Sequence, residues 1–445
     1  MPMLLNDMPP EWAGRVFLHP LHQDAFRDSV QLIADLRQCR NYRDYYQFQQ
    51  KLLGKVLEIQ EHRGACRRMA ARLRKGKTAP AGGTGLRSGD DPHDPGSWEL
   101  EADVCERVDR QLRSIGDALA WRVFSYDRRV IIAFSRNQAP GPMAGKAGLS
   151  AERDFVERWS QDEDSFVLMH DLTSCLRIGD ATLFKSVGKQ YEAYLYEIKS
   201  DPSRKKSEQL RRNRLAEEAI RDNGPFPNDP GARFVQLDTP YKTHLPMLRE
   251  GFELAQRRGT QGMKIPGGRA LMAADMRRGY ELWPEDEFIA RSEQAFESAC
   301  KRADIVDRSQ FVGSRSDDRA ARAPSHPPWA IYPFPPVVCA NLIFDMAFYA
   351  VGISGPSLLD ALRKAGFSAE WVLPPDQEQL QPGQVILRIY HGNRGLELRE
   401  AEIFRLTLEL VDLPTWVEGI REMLVRSDLS GRPWPCFADE HKVWV

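Results

Sequence analysis

At 445 residues the chain is long enough for two or three domains, and with 42% apolar and 28% charged residues it reads as an ordered globular protein, neither disordered nor membrane-embedded. Sixty-two basic residues face 63 acidic ones, a formal net charge of −1. That balance excludes a purely electrostatic polyanion binder, so any nucleic-acid contact must come from local basic patches.

The seven cysteines (Cys39, Cys66, Cys105, Cys175, Cys300, Cys339 and Cys436) are scattered, with no C-x-x-C pair and no zinc-type grouping with the nine histidines. Reduced thiols in a cytoplasmic protein are expected. The N-terminal stretch lacks the basic-then-apolar pattern of a secretory signal. The most apolar window, Val337 to Ile353, contains Asn341 and Asp345 and falls short of the roughly 20 residues that span a bilayer. It reads as a buried core helix, and no membrane partner is expected.

In chain order, apolar residues recur at helical spacing from Asp24 to about Arg74 with a break near Asn41, which predicts two helices. The second ends in an acid-free run from Arg63 to Lys77, placed where positive charge suits the helix dipole; it is either a solvated tail or a phosphate contact. Residues 1–75 thus form an N-terminal helical region and 76–97 a Gly/Pro/Asp-rich linker. Residues 98–147 form a helical extension, Trp98 to about Trp121, followed by a Gly/Pro-rich loop. The texture changes over 148–245. A helix capped by Ser150 precedes predicted strands at Phe166 to Asp171, Leu176 to Phe184 and Tyr191 to Ser200. A helix from about Arg204 to Arg221 and a strand from Arg233 to Leu237 complete that block. Amphipathic helices from Leu245 to Gln256 and from Glu285 to Asp304 make 246–308 a helical region. Residues 309–336 read as a second linker and 337–445 as a C-terminal α/β region. The latter is predicted to hold a short helix from Pro356 ended by Gly366 and a hairpin pairing Val385 to Tyr390 with Leu396 to Arg399. Residues 402–412 fit strand or helix equally.

The chemistry concentrates in two of the predicted strands. Alternation puts Leu195, Glu197 and Lys199 on one face of the third strand of the block, and Tyr194, Tyr196 and Ile198 on the other. Asp180, seventeen residues before Glu197, can bring a second carboxylate against it across a hairpin if the register allows. Two carboxylates side by side call for a cation, and hard oxygen ligands select Mg²⁺ (or Mn²⁺). Such a site suits a phosphodiester, with the lysine acting as a compact point charge. Only 15 of the 62 basic residues are lysine, which makes that choice informative.

Asp180 followed by Glu197-Ile198-Lys199, set in the order helix, three strands, helix, strand, resembles the PD-(D/E)XK nuclease superfamily. The resemblance covers about 90 residues, Gly148 to Leu237. It implies a restriction-endonuclease-like core, a mixed sheet flanked by helices, within an α/β chain that adds the N-terminal helical region and the C-terminal α/β region. It also implies that Asp180 and Glu197 bind the metal, that Lys199 is the catalytic lysine, and that a glutamate of the first helix, Glu152, completes the site. The chain departs from the family pattern in having Gly179 rather than proline before the aspartate.

Between Lys199 and Arg214 seven basic residues stand against two acids. Arg204, Lys205, Lys206, Gln209, Arg211 and Arg212 are the candidate nucleic-acid contacts, DNA being the expected partner; a solvated helix face is the plain alternative. Glu101, on the apolar stripe of its helix, competes with Glu152 as a metal ligand but is expected to be half-buried against a partner such as arginine. His170 reads as hydrogen-bonded structure rather than as an acid or base. The function implied is a Mg²⁺-dependent endonuclease. The rival is a non-catalytic nucleic-acid-binding or assembly protein that keeps the fold, with the C-terminal region available for a homo-oligomer or partner contact.

Overall fold

The computed structural model describes residues 15–77, 85–136, 139–187, 190–198, 207–222, 224–227, 239–305, 310–314, 326–372, 385–392, 394–425 and 442–444. Two long helices open it. Helix α1 (Pro20–Gln38) is capped by His19, whose Nδ1 accepts the Leu21 N–H, and α2 (Tyr42–Arg74) by Asn41, whose side chain accepts the Asp44 N–H. The break expected near Asn41 is therefore a helix cap. Helix α3 (Pro95–Val123) starts earlier than predicted because Asp94 caps it and Pro95 occupies its first turn. Helices α4 (Arg128–Phe134) and α5 (Leu149–Ser160) lead into strands β1 (Ser165–Met169), β2 (Ala181–Val187) and β3 (Gln190–Ile198), then α6 (Ser207–Arg221). Ser150 does not cap α5: the cap position is Gly148, which makes no side-chain bond. Residues 176–180, expected at the start of a strand, form the approach to β2 instead. The strand expected from Arg233 to Leu237 lies outside the described residues.

The chain continues through α7 (Leu245–Arg258), β4 (Thr260–Ile265), β5 (Arg269–Asp275), α8 (Met276–Leu282), α9 (Glu285–Arg302) and β6 (Gln310–Ser314). Then follow α10 (Pro336–Ile343), β7 (Ala347–Ser354), α11 (Gly355–Lys364), β8 (Ser368–Trp371), β9 (Val385–His391), β10 (Arg394–Arg399), α12 (Glu400–Thr407), α13 (Leu413–Val425) and β11 (Lys442–Trp444). Residues 246–308 are thus not purely helical, since the hairpin β4–β5 sits between α7 and α8, and β6 falls inside the expected second linker. The Val337 to Ile353 window is not one helix. It breaks at Asp345, which adopts φ 54°, into α10 and the fully buried strand β7. A continuous apolar run carries no period that separates buried strand from buried helix. The β9–β10 hairpin forms as expected, and residues 400–407 are helix.

The architecture is mixed α/β, and the chain gathers into two compact units. One comprises Met1–Arg233, Asp317–Phe344 and Arg432–Val445. Its sheet has the order β1-β2-β3-β11: an antiparallel meander with Ala181 opposite Tyr196, and β11 running parallel to β3 with Val443 opposite Glu197. The other unit, Phe234–Ser316 and Asp345–Gly431, holds the sheets β4-β5-β7-β6 and β10-β9-β8. Its largest apolar cluster joins Leu358 and Leu362 of α11, Ile386 and Ile389 of β9, and Trp416 and Ile420 of α13. Among the described residues, no helix is long and apolar enough to cross a membrane.

In the first unit, Phe184 of β2 packs 5.0 Å from Phe124 at the end of α3, which lies 6.0 Å from Phe134 of α4. All three rings are at most 1% exposed, so burying them fixes the helices on the sheet. Gly116 lets α3 come closer still. A Cβ there would lie 2.0 Å from the Leu172 carbonyl oxygen, so only glycine allows α3 to touch the loop between β1 and β2.

Candidate active site

Asp180 stands one residue before β2. Its N–H donates to the Tyr196 carbonyl at 2.8 Å, and its Oδ2 accepts the Ile198 N–H at 2.7 Å. Ala181 is in register with Tyr196, so one step back puts Asp180 across from Glu197, the juxtaposition the register had to supply. The turn into Asp180 depends on Gly179, which adopts φ +73°; a Cβ on it would lie 2.5 Å from Leu195 Cδ1. Proline, locked near −65°, has no access to that conformation, which is the physical reason that glycine precedes the aspartate in this chain.

The loop carrying the site is anchored by α3. The Asp117 carboxylate accepts the N–H groups of Ser174 (2.6 Å) and Cys175 (2.9 Å), and Arg113 donates to the carbonyls of Asp171 and Gly141. The N–H groups of Arg177 and Ile178 donate to Phe134 O at the end of α4. His170 is structural, as expected: its buried ring bonds the Ile178 carbonyl and the Thr182 hydroxyl, each at 2.8 Å. Burial holds its pKa down at about 4, so it is neutral at ordinary pH.

These elements enclose a pocket of about 260 Å³ whose walls include Asp171, Asp180 and Glu197, the oppositely charged Arg177 and Arg212, and the neutral Gln209. Glu197 is only 2% exposed, in keeping with its place on the face of β3 that also buries Leu195. The Asp171 carboxyl is held below its usual range. Burial pushes it up, but Lys146 and Arg177 outweigh that.

Lys146 is the centre of a second linkage. Its ammonium lies 2.5 Å from Glu152 Oε1 and 2.6 Å from Asp171 Oδ2, joining α5 to the pocket wall. Glu152 is 2% exposed and its Oε2 has no hydrogen-bond partner. Burial, helped by the charges on Asp171 and Asp180 and opposed by Lys146, pushes its pKa up to about 7. Glu152 is not among the pocket walls; it stands behind Lys146 and Asp171.

Asp180, Glu197, Gln209 and Arg212 therefore meet at one pocket. Arg211 does not reach it: its side chain is 64% exposed and pairs with Glu208 at 3.0 Å. Lys199, Arg204, Lys205 and Lys206 lie outside the described residues. Glu101, expected to be half-buried against a partner such as arginine, is instead fully buried, bonded to His62 and to backbone N–H groups, with His19 Nε2 3.4 Å away. A carboxylate on a helix stripe attracts whichever cation the neighbouring helix presents, and periodicity does not say which. Lys146, Asp171 and Arg177 went unrecognised as site residues. The signal for Lys146 was present, a rare lysine in the Gly-rich loop just before α5, but its two partners sit 6 and 25 residues away.

The donor set suits a hard cation. Three carboxylates border the pocket, yet among the described residues no three of them converge to within 4.8 Å, so an ion there would take one or two carboxylates and keep waters, the habit of Mg²⁺. Compared with protein-family models, curated proteins and solved structures, the chain finds no match.

Proposed function

We propose that the chain is a metal-dependent nuclease hydrolysing phosphodiester bonds of nucleic acid, DNA in preference to RNA, on a restriction-endonuclease-like core. The observation that carries this reading is the opposition of Asp180 and Glu197 across β2 and β3 at a pocket whose other walls bear Arg177, Gln209 and Arg212. Asp180 and Glu197 would hold Mg²⁺ or Mn²⁺, which when bound supplies positive charge at the phosphate and lowers the pKa of water. Arg177 and Arg212 supply planar, permanently charged donors for phosphate oxygens, and Gln209 a neutral one. The hydrogen bond from Ile198 N–H fixes the Asp180 carboxylate before any ligand arrives, so its orientation costs nothing at binding. The role of Lys199 rests on the sequence alone, its place two residues after Glu197 in the pattern that the resemblance matches. Lys146 keeps Asp171 ionised and so keeps the pocket's carboxylate wall charged.

The test is cleavage of plasmid DNA, linear DNA and single-stranded RNA by the full chain with Mg²⁺ or Mn²⁺ and with chelator. Asp180→Asn and Glu197→Gln should each lower the rate by about 10²- to 10³-fold or more, with an unchanged circular dichroism spectrum. Lys199→Ala should do likewise. Absence of metal-dependent cleavage by the wild type, or full activity in the variants, overturns the reading.

A further inference from the structure

Away from the pocket, α2 and α3 face each other with two pairs of ligand-type side chains, each at helical i, i+4 spacing. His62 and Cys66 lie on α2; Glu101 and Cys105 lie on α3. Such pairs project from one side of a helix, so two of them across a helix interface can bring their donors together, the way helical bundles build metal sites. The ligand atoms of His62, Cys66 and Glu101 all fall within 4.8 Å of one another. His62 Nε2 lies 2.5 Å from Glu101 Oε1 and 3.7 Å from Cys66 Sγ, and both cysteines are free and buried. We infer that His62, Cys66, Glu101 and Cys105 form a Zn²⁺ site that clamps α2 to α3. The inference is independent of the nuclease reading.

The chemistry of the set favours zinc over the hard cation suited to the pocket. One imidazole, two thiols and one carboxylate are borderline-to-soft donors, which Mg²⁺ declines and Zn²⁺ accepts in tetrahedral array. Tetrahedral N and O ligands at about 2.0 Å stand about 3.3 Å apart, and N and S ligands about 3.5 Å apart. The His62–Cys66 spacing of 3.7 Å already fits, and the His62–Glu101 spacing of 2.5 Å opens when the ion replaces the proton between them. The outer groups are in place as well. The Arg87 N–H donates to both Glu101 oxygens, Oε2 at 2.9 Å and Oε1 at 3.1 Å, and Oε2 lies 3.4 Å from His19 Nε2, which orients the carboxylate with Oε1 turned to His62. Cys105 sits one helical turn after Glu101 on α3, free and buried, and offers the second thiol.

The experiment uses the full chain, stripped of metal with chelator in the presence of a phosphine reductant, and titrated with Co²⁺ and then Zn²⁺. Cobalt should produce an intense thiolate-to-metal charge-transfer band and tetrahedral visible bands that Zn²⁺ bleaches at one equivalent. Cys66→Ser and His62→Ala, checked for fold by circular dichroism, should weaken Zn²⁺ binding by more than about 100-fold. Asp180→Asn and Glu197→Gln should leave the cobalt spectrum unchanged, because that pocket offers no sulfur. The wild-type spectrum decides even if a variant fails to fold. Absence of the charge-transfer band in the wild type shows that the four groups are only a hydrogen-bonded network and overturns the site. So does a Cys66→Ser protein that binds Co²⁺ as tightly and with as intense a band as the wild type, or a band that vanishes in Asp180→Asn.

Discussion

The pocket at Asp180 and Glu197 and the helix-pair cluster at His62, Cys66 and Glu101 both hold ionisable groups away from bulk water, by opposite means. In the pocket Asp180 is tied to backbone, accepting the Ile198 N–H, the loop behind it hangs on Asp117 and Arg113 of α3, and Asp171 is held by Lys146. Its charges are brought together by strand register and by a loop, so every member depends on long-range folding. In the cluster each pair is set by one turn of helix, and His62 meets both Cys66 and Glu101 directly while Glu101 also takes the Arg87 N–H. A site made by register is sensitive to the backbone that delivers it; a site made by two helices is sensitive to the side chains themselves.

Gly179→Ala gives the largest expected break in that comparison. The added Cβ meets Leu195 at 2.5 Å in a left-handed conformation, so a loss of about 2–4 kcal/mol of stability is expected. It should also displace Asp180 and abolish cleavage while leaving metal binding at His62 and Cys66 as in the wild type. Parallel measurement of thermal unfolding, nuclease rate and cobalt spectrum checks this; retained cleavage would show that the turn does not position the aspartate.

Glu152→Gln sharpens the electrostatic side. The folded protein holds the Glu152 proton up to about pH 7, whereas the unfolded chain releases it near the ordinary glutamate value of 4.5. The folded pKa is raised for an acid, so this group makes folding progressively less favourable as pH rises from about 4.5 to about 7, and nothing further changes above that. The variant should lack that slope. Denaturant midpoints of the two proteins, measured from pH 4 to 8, should diverge in favour of the variant only through this window; parallel curves would show that Glu152 titrates normally.

The smallest expected effect separates two neighbours on α6. Arg212 lines the pocket and Arg211 points to solvent. Arg212→Gln should reduce the salt dependence of DNA binding by about 0.7 to 0.9 log unit per decade of salt, the loss of one phosphate contact, and Arg211→Gln should change it far less. Equal slopes for the two variants would return the whole helix to a solvated surface.

Legibility followed the range of the forces. Helices α1, α2 and α3 were readable because their apolar stripes repeat every three or four residues and their caps, Asn41 among them, are local. The β9–β10 hairpin was readable for the same reason, a turn between two short strands. The alternation that sets Glu197 on the buried face of β3 is also written in the sequence, and so is a lysine two residues on. What the sequence left open was every partner that arrives from afar. The segment running beside β3 in parallel is Lys442–Trp444, more than 200 residues downstream, a distance no local pattern spans. The uniformly apolar window over α10 and β7 had no period to read, and only packing chose helix for one half and strand for the other. Histidines and cysteines that looked scattered converge because α2 and α3 pair: i, i+4 spacing was visible on each helix, but facing was not. Lys146 shows the same limit within one site. The sequence determined which side chains were available and which face of an element each would take; tertiary structure alone decided which faces met, because burying apolar area selects the pairing of elements and side-chain charges then settle on the neighbours that pairing provides.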